Sequence, residues 1–427
     1  MILSTLLRIA FARNLGRTEI PFEVHFTNGS IYKNKEIAPE FVIRYKTFGA
    51  QLNTVFNTGW GLFESYINQT VEISGNIQLI VKAWADSGPN LAEHNRMSRI
   101  PNPFVRFRNW LHELKHSNRR IKRAVKNAHH HYNRGTDMFW KYLDPSMTYT
   151  CAYWKEGTKT LEEAQRNKLD HVCKKLRLKP GETMVDVGGG WGSLLFHAAE
   201  NYGVKGTNIS PTPDQNQALR TEAARRGLQN KITIQQKDFR EVEGTFDKYA
   251  SLGAFEHAGK GQLADWIKAM ADSLKPGGIG VLHFIAHDRP IDTDFFIRKY
   301  IFPGGYLPGL SETVDIMSTH GLEILDIENL RRHYALTLDA WAENFEKHWE
   351  DINHVNPEHF DEKFKRTWRT YLALCAEYFR IDNSILRLYQ ITFSKGNTSS
   401  YPMDRGFLYD QIPADIPQVV TQSTLKN

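Results

Sequence analysis

The stretch that decides the fold is Met184–Leu194, M-V-D-V-G-G-G-W-G-S-L. A short apolar run leads into three glycines, and a helical pattern follows from Leu194, which predicts a strand, a tight turn and a helix. Gly188 and Gly190 lack a Cβ, so the backbone there can adopt positive φ and a ligand can lie against it. The amide N–H groups at the start of the helix point towards whatever occupies the turn.

The spacing of these glycines bears on which ligand the turn binds. A dinucleotide site of the form G-x-G-x-x-G would place its third glycine at position 193, but Ser193 stands there and the glycine is Gly192. The pattern D-x-G-x-G-x-G after a strand favours S-adenosylmethionine (SAM) over NAD. Another nucleotide, or a glycine-rich turn without a ligand, remains an alternative at this point.

Composition excludes several classes of protein. The 427 residues are 41% hydrophobic, which is ample for a buried core, and the formal net charge is +6. The three cysteines show no C-x-x-C spacing, so no metal site and no disulfide framework is predicted, and a reducing cytoplasm is the simplest context.

Membrane attachment is expected to be peripheral. The N-terminal residues M-I-L-S-T-L-L-R resemble the start of a signal peptide, but the positive charges follow the apolar residues and the apolar run is about six residues long. Elsewhere no apolar run approaches the roughly 20 residues needed to span a bilayer.

The first 100 residues predict a small α+β module. Apolar and polar residues alternate over Phe22–Phe26 and Phe41–Tyr45, which predicts strands, and Asn28-Gly29 is a turn dipeptide between them. No residue of this module carries recognisable chemistry.

Residues 101–130 form a basic amphipathic linker. Nine Lys/Arg and one carboxylate, Glu113, occur between Arg106 and Arg134, and aromatic or apolar residues recur at helical spacing: Phe104, Phe107, Trp110 and Leu111. Such a segment fits an anionic membrane surface, where each charge contributes about 1 kcal/mol. A solvated helix packed on the body is the alternative. Nucleic-acid binding lacks any supporting motif, and no nucleic-acid partner is predicted.

Residues 131–427 are predicted to form the catalytic domain. Strands alternate with helices, which predicts a parallel α/β sheet whose ligands lie beyond the carboxyl ends of the strands. Polar residues follow five successive strands and are expected to face one crevice: Asp186, Asn208, Asp238, Glu256 and His283.

Two of these positions suit the parts of SAM. Asp238 is placed to accept a hydrogen bond from an adenine amino group, with Phe239 beside the ring, although a helix N-cap is the alternative role for Asp238. Asn208 stands where an acidic residue often holds ribose hydroxyls, and an amide makes that contact without charge assistance.

A second set consists of polar residues in apolar surroundings: Cys151, Glu256, His283 and Tyr334. Each has an ordinary alternative, since a strand histidine or a tyrosine often belongs to the core and Glu256 could be a solvated loop carboxylate. Sequence spacing alone does not establish that the four residues meet in space.

From about residue 129 to 396 the chain resembles the cyclopropane-fatty-acid-phospholipid synthase family of SAM-dependent methyltransferases. Eight blocks carry the resemblance in the same order: M-T-Y-T-C-A-Y-W, V-D-V-G-G-G-W-G, G-A-F-E-H-A-G, L-K-P-G-G, V-L-H-F-I, R-K-Y-I-F-P-G-G-Y-L-P, H-Y-A-L-T-L-D-A-W, and Y-L-A-L-C-A-E-Y-F-R with Q-I-T-F-S-K-G. The resemblance implies a Rossmann-like class I SAM-dependent methyltransferase domain, with a mixed seven-stranded sheet flanked by helices, and a smaller N-terminal α+β domain.

The resemblance also implies two sets of site residues. A bicarbonate ion would be held by the side chains of Glu256, His283 and Tyr334 and by backbone near Cys151 and Ile285. The resemblance implies that the SAM site is lined by six residues: Tyr149, Thr150, Gly188, Gly190, Asn208 and either Gln215 or Gln217. The strand pattern adds Asp186, Asp238 and Phe239 to this set. Gly189 stands where the family often has cysteine, and the smaller residue is not expected to harm the turn.

The implied reaction is methyl transfer to the cis double bond of an unsaturated phospholipid acyl chain. An isolated alkene is a weak nucleophile, so the methyl group must be held in line and water excluded. The resulting carbocation would lose a proton to bicarbonate, with Glu256 orienting His283, and close a cyclopropane ring. The same intermediate could instead give a methylene- or methyl-branched chain.

Further expectations concern partners and location. The resemblance implies a homodimer that associates peripherally with the inner face of the membrane and acts on phospholipid acyl chains there. A non-catalytic lipid- or nucleic-acid-binding protein is the alternative from a different class.

Overall fold

The computed structural model describes residues 2–87, 110–111, 113–132, 136–382 and 384–409. By contacts the chain divides into two compact units. The first consists of residues 1–111, 294–301 and 334–386, and the second of residues 112–293, 302–333 and 387–427. The sequence predicted contiguous segments, 1–100, 101–130 and 131–427, whereas two later stretches of the chain group with the N-terminal residues.

The N-terminal part of the first unit is a four-stranded sheet with helices. Its elements are α1 (Ile2–Leu15), β1 (Phe22–His25), β2 (Ile31–Lys33), β3 (Phe41–Tyr45), α2 (Phe48–Ile67), β4 (Val71–Gly75) and α3 (Gln78–Ser87). The strand order is β2-β1-β3-β4, in which β1 pairs antiparallel with β2 and parallel with β3. The two strands predicted from alternation are present as β1 and β3.

The remaining elements alternate between helix and strand before a helical stretch. In chain order they are α4 (Ile121–Tyr132), α5 (Thr136–Tyr142), α6 (Leu161–Lys175), β5 (Thr183–Val187), α7 (Ser193–Asn201), β6 (Lys205–Ile209), α8 (Pro213–Arg225), β7 (Ile232–Gln235), β8 (Phe246–Leu252), α9 (Leu263–Ser273), β9 (Leu274–His287), α10 (Leu310–Thr319), β10 (Leu322–Asn329), α11 (Arg331–Lys347), α12 (Trp349–Val355), α13 (Glu362–Arg380) and β11 (Leu386–Lys395).

Seven of these strands form one mixed sheet in the order β10-β11-β9-β8-β5-β6-β7. The pairs β8–β9, β5–β8, β5–β6 and β6–β7 are parallel, and β10 pairs antiparallel with β11. The sheet that the resemblance implied is therefore present.

Strand β5 is an interior strand of the sheet, between β8 and β6, and apolar side chains cover both of its faces. Val185 and Val187 pack in a cluster with Trp266 of α9, while Met184 packs on the other face with Leu194 of α7. The turn that follows has the predicted left-handed backbone, with φ of +81° at Gly188. A Cβ at Gly188 would lie 2.3 Å from the Cβ of Ala254, so only glycine permits this close approach.

The described part of the basic linker is attached to the second unit by buried amides. Asn118 Nδ2 donates to the carbonyl of His257 at 2.8 Å, and Asn127 Nδ2 donates to Asn118 Oδ1 at 2.7 Å. Trp110 and Leu111 are exposed. The predicted positions Phe104, Arg106, Phe107, Arg108 and Arg134 lie outside the described residues.

In the described ranges of the chain, we find no helix with the length and apolar character that crossing a membrane requires.

Candidate active site

A cleft opens at the carboxyl ends of the central parallel strands, where the sequence predicted the ligand site. It is lined by the glycine turn and by segments that follow neighbouring strands, all of them in the second unit: Met147–Thr150, Asp186–Trp191, Ser210–Thr212, Lys237–Phe239 and Leu252–Ala254. The order of the strands brings these segments together because the carboxyl ends of parallel strands share one edge of the sheet.

Eight of the nine residues predicted to contact SAM line this cleft: Tyr149, Thr150, Asp186, Gly188, Gly190, Gln215, Asp238 and Phe239. The structure also separates the two glutamines at the start of α8, since Gln215 is buried in the cleft wall while Gln217 is exposed.

The ninth residue, Asn208, does not itself line the cleft, and its contact with SAM stays a prediction. Asn208 is fully buried, and its Nδ2 donates to Asn216 Oδ1 at 3.0 Å. Asn216 in turn donates to the carbonyl of Ser210 at 2.8 Å. The amide of Asn208 therefore points into the protein, and its hydrogen bond to Asn216 links β6 to α8.

The space above Gly189 is filled by polar side chains. A Cβ at this position would lie 2.5 Å from Asn208 Oδ1 and 2.7 Å from Asp186 Oδ2. The cysteine common in the family at this position would therefore collide with both residues in this geometry, so the glycine is a requirement of the present turn.

Asp238 takes the N-cap role that was the alternative to adenine binding. Its Oδ1 accepts from the backbone N–H of Arg240 at 3.1 Å, and the Arg240 guanidinium donates to both carboxylate oxygens, at 2.6 and 3.0 Å. Phe239 packs against Trp266 with a ring-centroid separation of 4.3 Å. These two aromatic rings form an apolar wall of the cleft.

Sequence analysis missed Lys168 of α6, which also lines the cleft. Its Nζ donates to Thr150 Oγ1 at 2.9 Å, and burial lowers the pKa of Lys168 to about 8 despite the opposing charges of Asp144 and Asp186. The helical period places Lys168 on the same face as the buried Gln165 and Leu169, which is the signal that could have identified it.

Asp186 is fully buried next to this lysine. Burial raises the pKa of Asp186 to about 7, and the charge of Lys168 opposes the rise. The Oδ1 atom of Asp186 has no hydrogen-bond partner among the described residues. A buried carboxylate with a free acceptor is suited to a ligand that carries hydrogen-bond donors.

A second set of predicted residues lies just beyond the end of β8 and on the part of β9 that pairs with it. Gly253 donates to the carbonyl of His283 at 2.8 Å, and Glu256 Oε1 accepts from the backbone N–H of Ile285 at 2.6 Å. Burial of the carboxylate raises the pKa of Glu256 to about 7 although the hydrogen bond from Ile285 opposes the rise. The backbone donor that the resemblance assigned to bicarbonate is thus engaged by Glu256.

The partner of His283 was not predicted from the sequence. Gln390 Nε2 lies 3.0 Å from His283 Nδ1, whereas Glu256 makes no hydrogen bond to the imidazole. The structure therefore corrects the expectation that Glu256 orients His283. Burial lowers the pKa of His283 well below its usual value, and the charges of Lys168 and Lys175 lower it further.

Two polar atoms of this cluster, His283 Nε2 and Glu256 Oε2, are buried and have no hydrogen-bond partner among the described residues. Unpaired buried polar atoms are costly, and at functional sites they are commonly satisfied by a ligand.

The other two predicted catalytic residues are also buried. Cys151 Sγ donates to the carbonyl of Ala152 at 3.2 Å. Tyr334 belongs to the first unit, where its ring packs on Phe379 with a centroid separation of 4.7 Å. The roles of Cys151 and Tyr334 stay predictions.

The seven-stranded sheet, the glycine turn after its central strand and the cleft at the strand ends define a class I methyltransferase fold. The structure of mycolic acid cyclopropane synthase CmaA1 complexed with SAH and CTAB superposes with a TM-score of 0.59 at 29% identity, over 64% of this chain and 98% of that one. The family model for mycolic acid cyclopropane synthetase matches residues 119–391, and the chain belongs to this family.

Two relatives extend this result. A probable fatty acid methyltransferase of Pseudomonas putida is 38% identical over 61% of this chain and 67% of its own length. The cyclopropane-fatty-acyl-phospholipid synthase of Escherichia coli K12 is 37% identical over 64% of this chain and 69% of its own length. The predicted family, fold class and enzyme class, a SAM-dependent methyltransferase, are confirmed.

Proposed function

We propose that the chain transfers a methyl group from SAM to the cis double bond of unsaturated phospholipid acyl chains and forms a cyclopropane ring. The observation that carries the proposal is the position of the Glu256–His283 cluster. Ala254 and His257, which flank Glu256, line the cofactor cleft, and the charge of Lys168, another lining residue, acts on His283. The relationship to the E. coli synthase supports the substrate class.

Several groups in the cleft support the binding of SAM. The turn at Gly188 presents bare backbone, and the buried Asp186 and Lys168 offer opposite charges to the amino-acid tail of the cofactor. Trp266 and Phe239 cover an apolar wall that excludes water. SAM supplies an electrophilic methyl group when it is bound, and the residues of the cleft hold and desolvate it.

The Glu256–His283 cluster fits a small anion such as bicarbonate. A carboxyl group whose pKa is near 7 is partly protonated at neutral pH, so Glu256 can donate from its unpaired Oε2. The positive charges of Lys168 and Lys175 that lower the pKa of His283 also favour an anion beside it. Bicarbonate would supply the proton acceptor, with Tyr334 and the backbone at Cys151 as its other predicted contacts.

We further propose that the enzyme binds the inner face of the membrane peripherally through its basic segment. Arg119, Arg120, Lys122 and Arg123 are all exposed, as attraction to anionic lipid requires. A homodimer is proposed from the resemblance alone, and light scattering coupled to size-exclusion chromatography measures it.

The test is turnover on cis-unsaturated phospholipid vesicles with SAM, followed by mass spectrometry and NMR of the released acyl chains. Ring formation adds one CH₂ per chain and gives cyclopropane methylene protons. A methylene-branched chain, or a methyl-branched chain that keeps a double bond, has the same mass as the cyclopropane product but shows different protons in the NMR spectrum. A saturated methyl branch would need a reductant that this assay does not contain.

Controls separate the possible outcomes. Vesicles of fully saturated phospholipid should give no product. If SAM binds and no acyl chain is modified, the proposal is wrong and the non-catalytic lipid-binding alternative is supported. If only a branched chain forms, methyl transfer to the double bond is supported and ring closure is contradicted.

A further inference from the structure

We propose that Gln390 is a positioning residue that holds His283 as a neutral imidazole with its proton on Nε2. The catalytic consequence rests on the proposed function, whereas the position of the proton does not. Gln390 lies on β11, next to β9 in the sheet, and 107 residues separate it from His283.

The orientation of the Gln390 amide follows from its other partner. Lys175 Nζ donates to Gln390 Oε1 at 3.0 Å, and an ammonium group has donors only, so the amide oxygen must face the lysine. The amide nitrogen therefore faces His283 Nδ1, at 3.0 Å. Because an amide NH₂ group only donates, Nδ1 must accept, and the single proton of the neutral ring lies on Nε2.

Lys175 is in turn held by an ion pair. Its Nζ, which is fully buried, donates to Glu328 Oε2 at 2.6 Å, and the same carboxylate oxygen lies 2.7 Å from His171 Nε2. Although burial opposes ionisation, the hydrogen bond from His171 and the charge of Lys175 lower the pKa of Glu328. A buried ammonium with such a partner stays in place, because separating the pair would leave an unpaired charge.

These contacts form a chain across three neighbouring strands. Glu328 of β10 is directly opposite Gln390 of β11 in the antiparallel register, and Gln390 reaches His283 of β9. Because Lys175 fixes the amide oxygen of Gln390, the amide nitrogen is directed at His283, and no carboxylate contacts the imidazole ring. A glutamate at position 390 would accept from Nδ1 and draw the proton away from Nε2.

The ionisable groups around His283 favour the same state. Burial and the charges of Lys168 and Lys175 lower its pKa, and among the described residues the charge of Glu328 acts in the opposite direction. The imidazole then presents Nε2–H as a donor and has no free acceptor. It can hold an anion such as bicarbonate, but it cannot itself remove a proton from the substrate, so the base must be another group, which in the proposed function is the anion.

The test uses the full-length protein with ¹⁵N-labelled histidine and long-range ¹H–¹⁵N NMR. The His283 signals are assigned by their loss in His283→Gln. At pH 7 we expect Nε2 to carry the proton in the wild type. In Gln390→Glu we expect the proton on Nδ1 or on both nitrogens, with cyclopropane formation lowered about 10²- to 10⁴-fold, the range for a misplaced catalytic proton.

Two further variants isolate the effect. Gln390→Leu removes the donor without adding charge, and we expect a mixture of the two neutral tautomers and an intermediate loss of activity. Gln51→Glu is the matched control, since Gln51 is a fully buried glutamine of the first unit, bonded to Ser4 at 3.2 Å. We expect it to lower stability and to leave the His283 signals unchanged.

Each outcome is decisive. A proton on Nδ1 or a cationic ring in the wild type overturns the inference, as does an unchanged tautomer in folded Gln390→Glu. If Gln390→Glu does not fold, the wild type and Gln390→Leu decide. If the tautomers are as expected but the wild type modifies no acyl chain, the proposed function fails while the role of Gln390 stands.

Discussion

The carboxylate of Glu256 lies 2.6 Å from the backbone nitrogen of Ile285 and accepts its N–H just beyond the end of β8. The last backbone hydrogen bond between the two strands runs from Gly253 to His283. Beyond this point the backbone of β8 turns away from β9, and the carboxylate of Glu256 takes its place as the hydrogen-bond acceptor for the next backbone N–H of β9. This contact fixes Glu256 against the segment of β9 that carries His283, two residues before Ile285.

The buried carboxyl of Glu256 makes stability depend on pH. Its pKa rises from 4.5 to about 7 in the folded state, so the neutral form is favoured by folding. Its contribution is fully present below pH 4.5 and is lost as the pH rises through 7. The side chain in Glu256→Gln cannot ionise. Between pH 4.5 and 8 we therefore expect the free energy of unfolding of this variant to rise by up to about 3 kcal/mol relative to that of the wild type. Urea unfolding at several pH values measures the difference, and a difference independent of pH would contradict the raised pKa.

The same substitution should separate chemistry from cofactor binding. The amide oxygen of the substituted side chain can still accept from Ile285, but an NH₂ group replaces the titrating oxygen. Because Glu256 does not line the cofactor cleft, we expect an unchanged SAM dissociation constant by calorimetry. We expect cyclopropane formation to fall by about 10²- to 10⁴-fold. Full activity would remove Glu256 from the proposed mechanism.

A methyl group at position 189 should disturb the cofactor turn. The added Cβ would lie 2.5 Å from Asn208 Oδ1 and 2.7 Å from Asp186 Oδ2, so one of these buried side chains must move. We expect Gly189→Ala to weaken SAM binding about tenfold, the equivalent of about 1.4 kcal/mol. Gly261→Ala is the control, because nothing lies within 4 Å of its added Cβ. Equal SAM affinities in the two variants would show that the turn relaxes freely.

The central sheet and most of the cofactor cleft could be predicted because they depend on local patterns. The apolar run into the glycines of residues 188–190 identifies β5, and the alternation of strands and helices determines which strand ends meet. Gln390 could not be found in this way, because β11 joins β9 only through the strand order of the finished sheet. The hydrogen bond between Asn208 and Asn216 could not be found for a related reason, since it depends on the path of one short loop.

The basic segment should bind anionic membranes. Each exposed charge near such a surface contributes about 1 kcal/mol, so replacing Arg119, Arg120, Lys122 and Arg123 by Gln should weaken binding by up to about 10³-fold at low salt. Sedimentation with vesicles containing phosphatidylserine measures the change, and vesicles of phosphatidylcholine alone should show none.

A matched variant controls for net charge. It replaces four exposed basic residues elsewhere in the second unit by Gln: Lys179, Lys205, Arg220 and Lys231. We expect this variant to retain most of the binding. If both variants lose binding equally, the attraction is due to overall charge and the segment is an ordinary linker.

Lys168 should increase the affinity for SAM while it lowers the free energy of unfolding. Burial lowers its pKa from 10.5 to about 8, so the charged form that is present at pH 7 is disfavoured by folding. This cost is greatest below pH 8 and disappears as the pH rises towards 10.5. Lys168→Met should therefore raise stability at pH 7, by up to about 3 kcal/mol if the methionine packs without strain.

The same substitution should lower SAM affinity. Without the charge of Lys168 the pKa of Asp186 rises further above about 7, and the carboxyl becomes neutral at physiological pH. We expect SAM binding to weaken about tenfold at pH 7, and we expect the difference from the wild type to narrow as a rising pH ionises Asp186. Lys248→Met is the control, because Lys248 is buried outside the cleft beside Glu182. A gain in stability without a loss of SAM affinity would mean that Lys168 does not act on the cofactor.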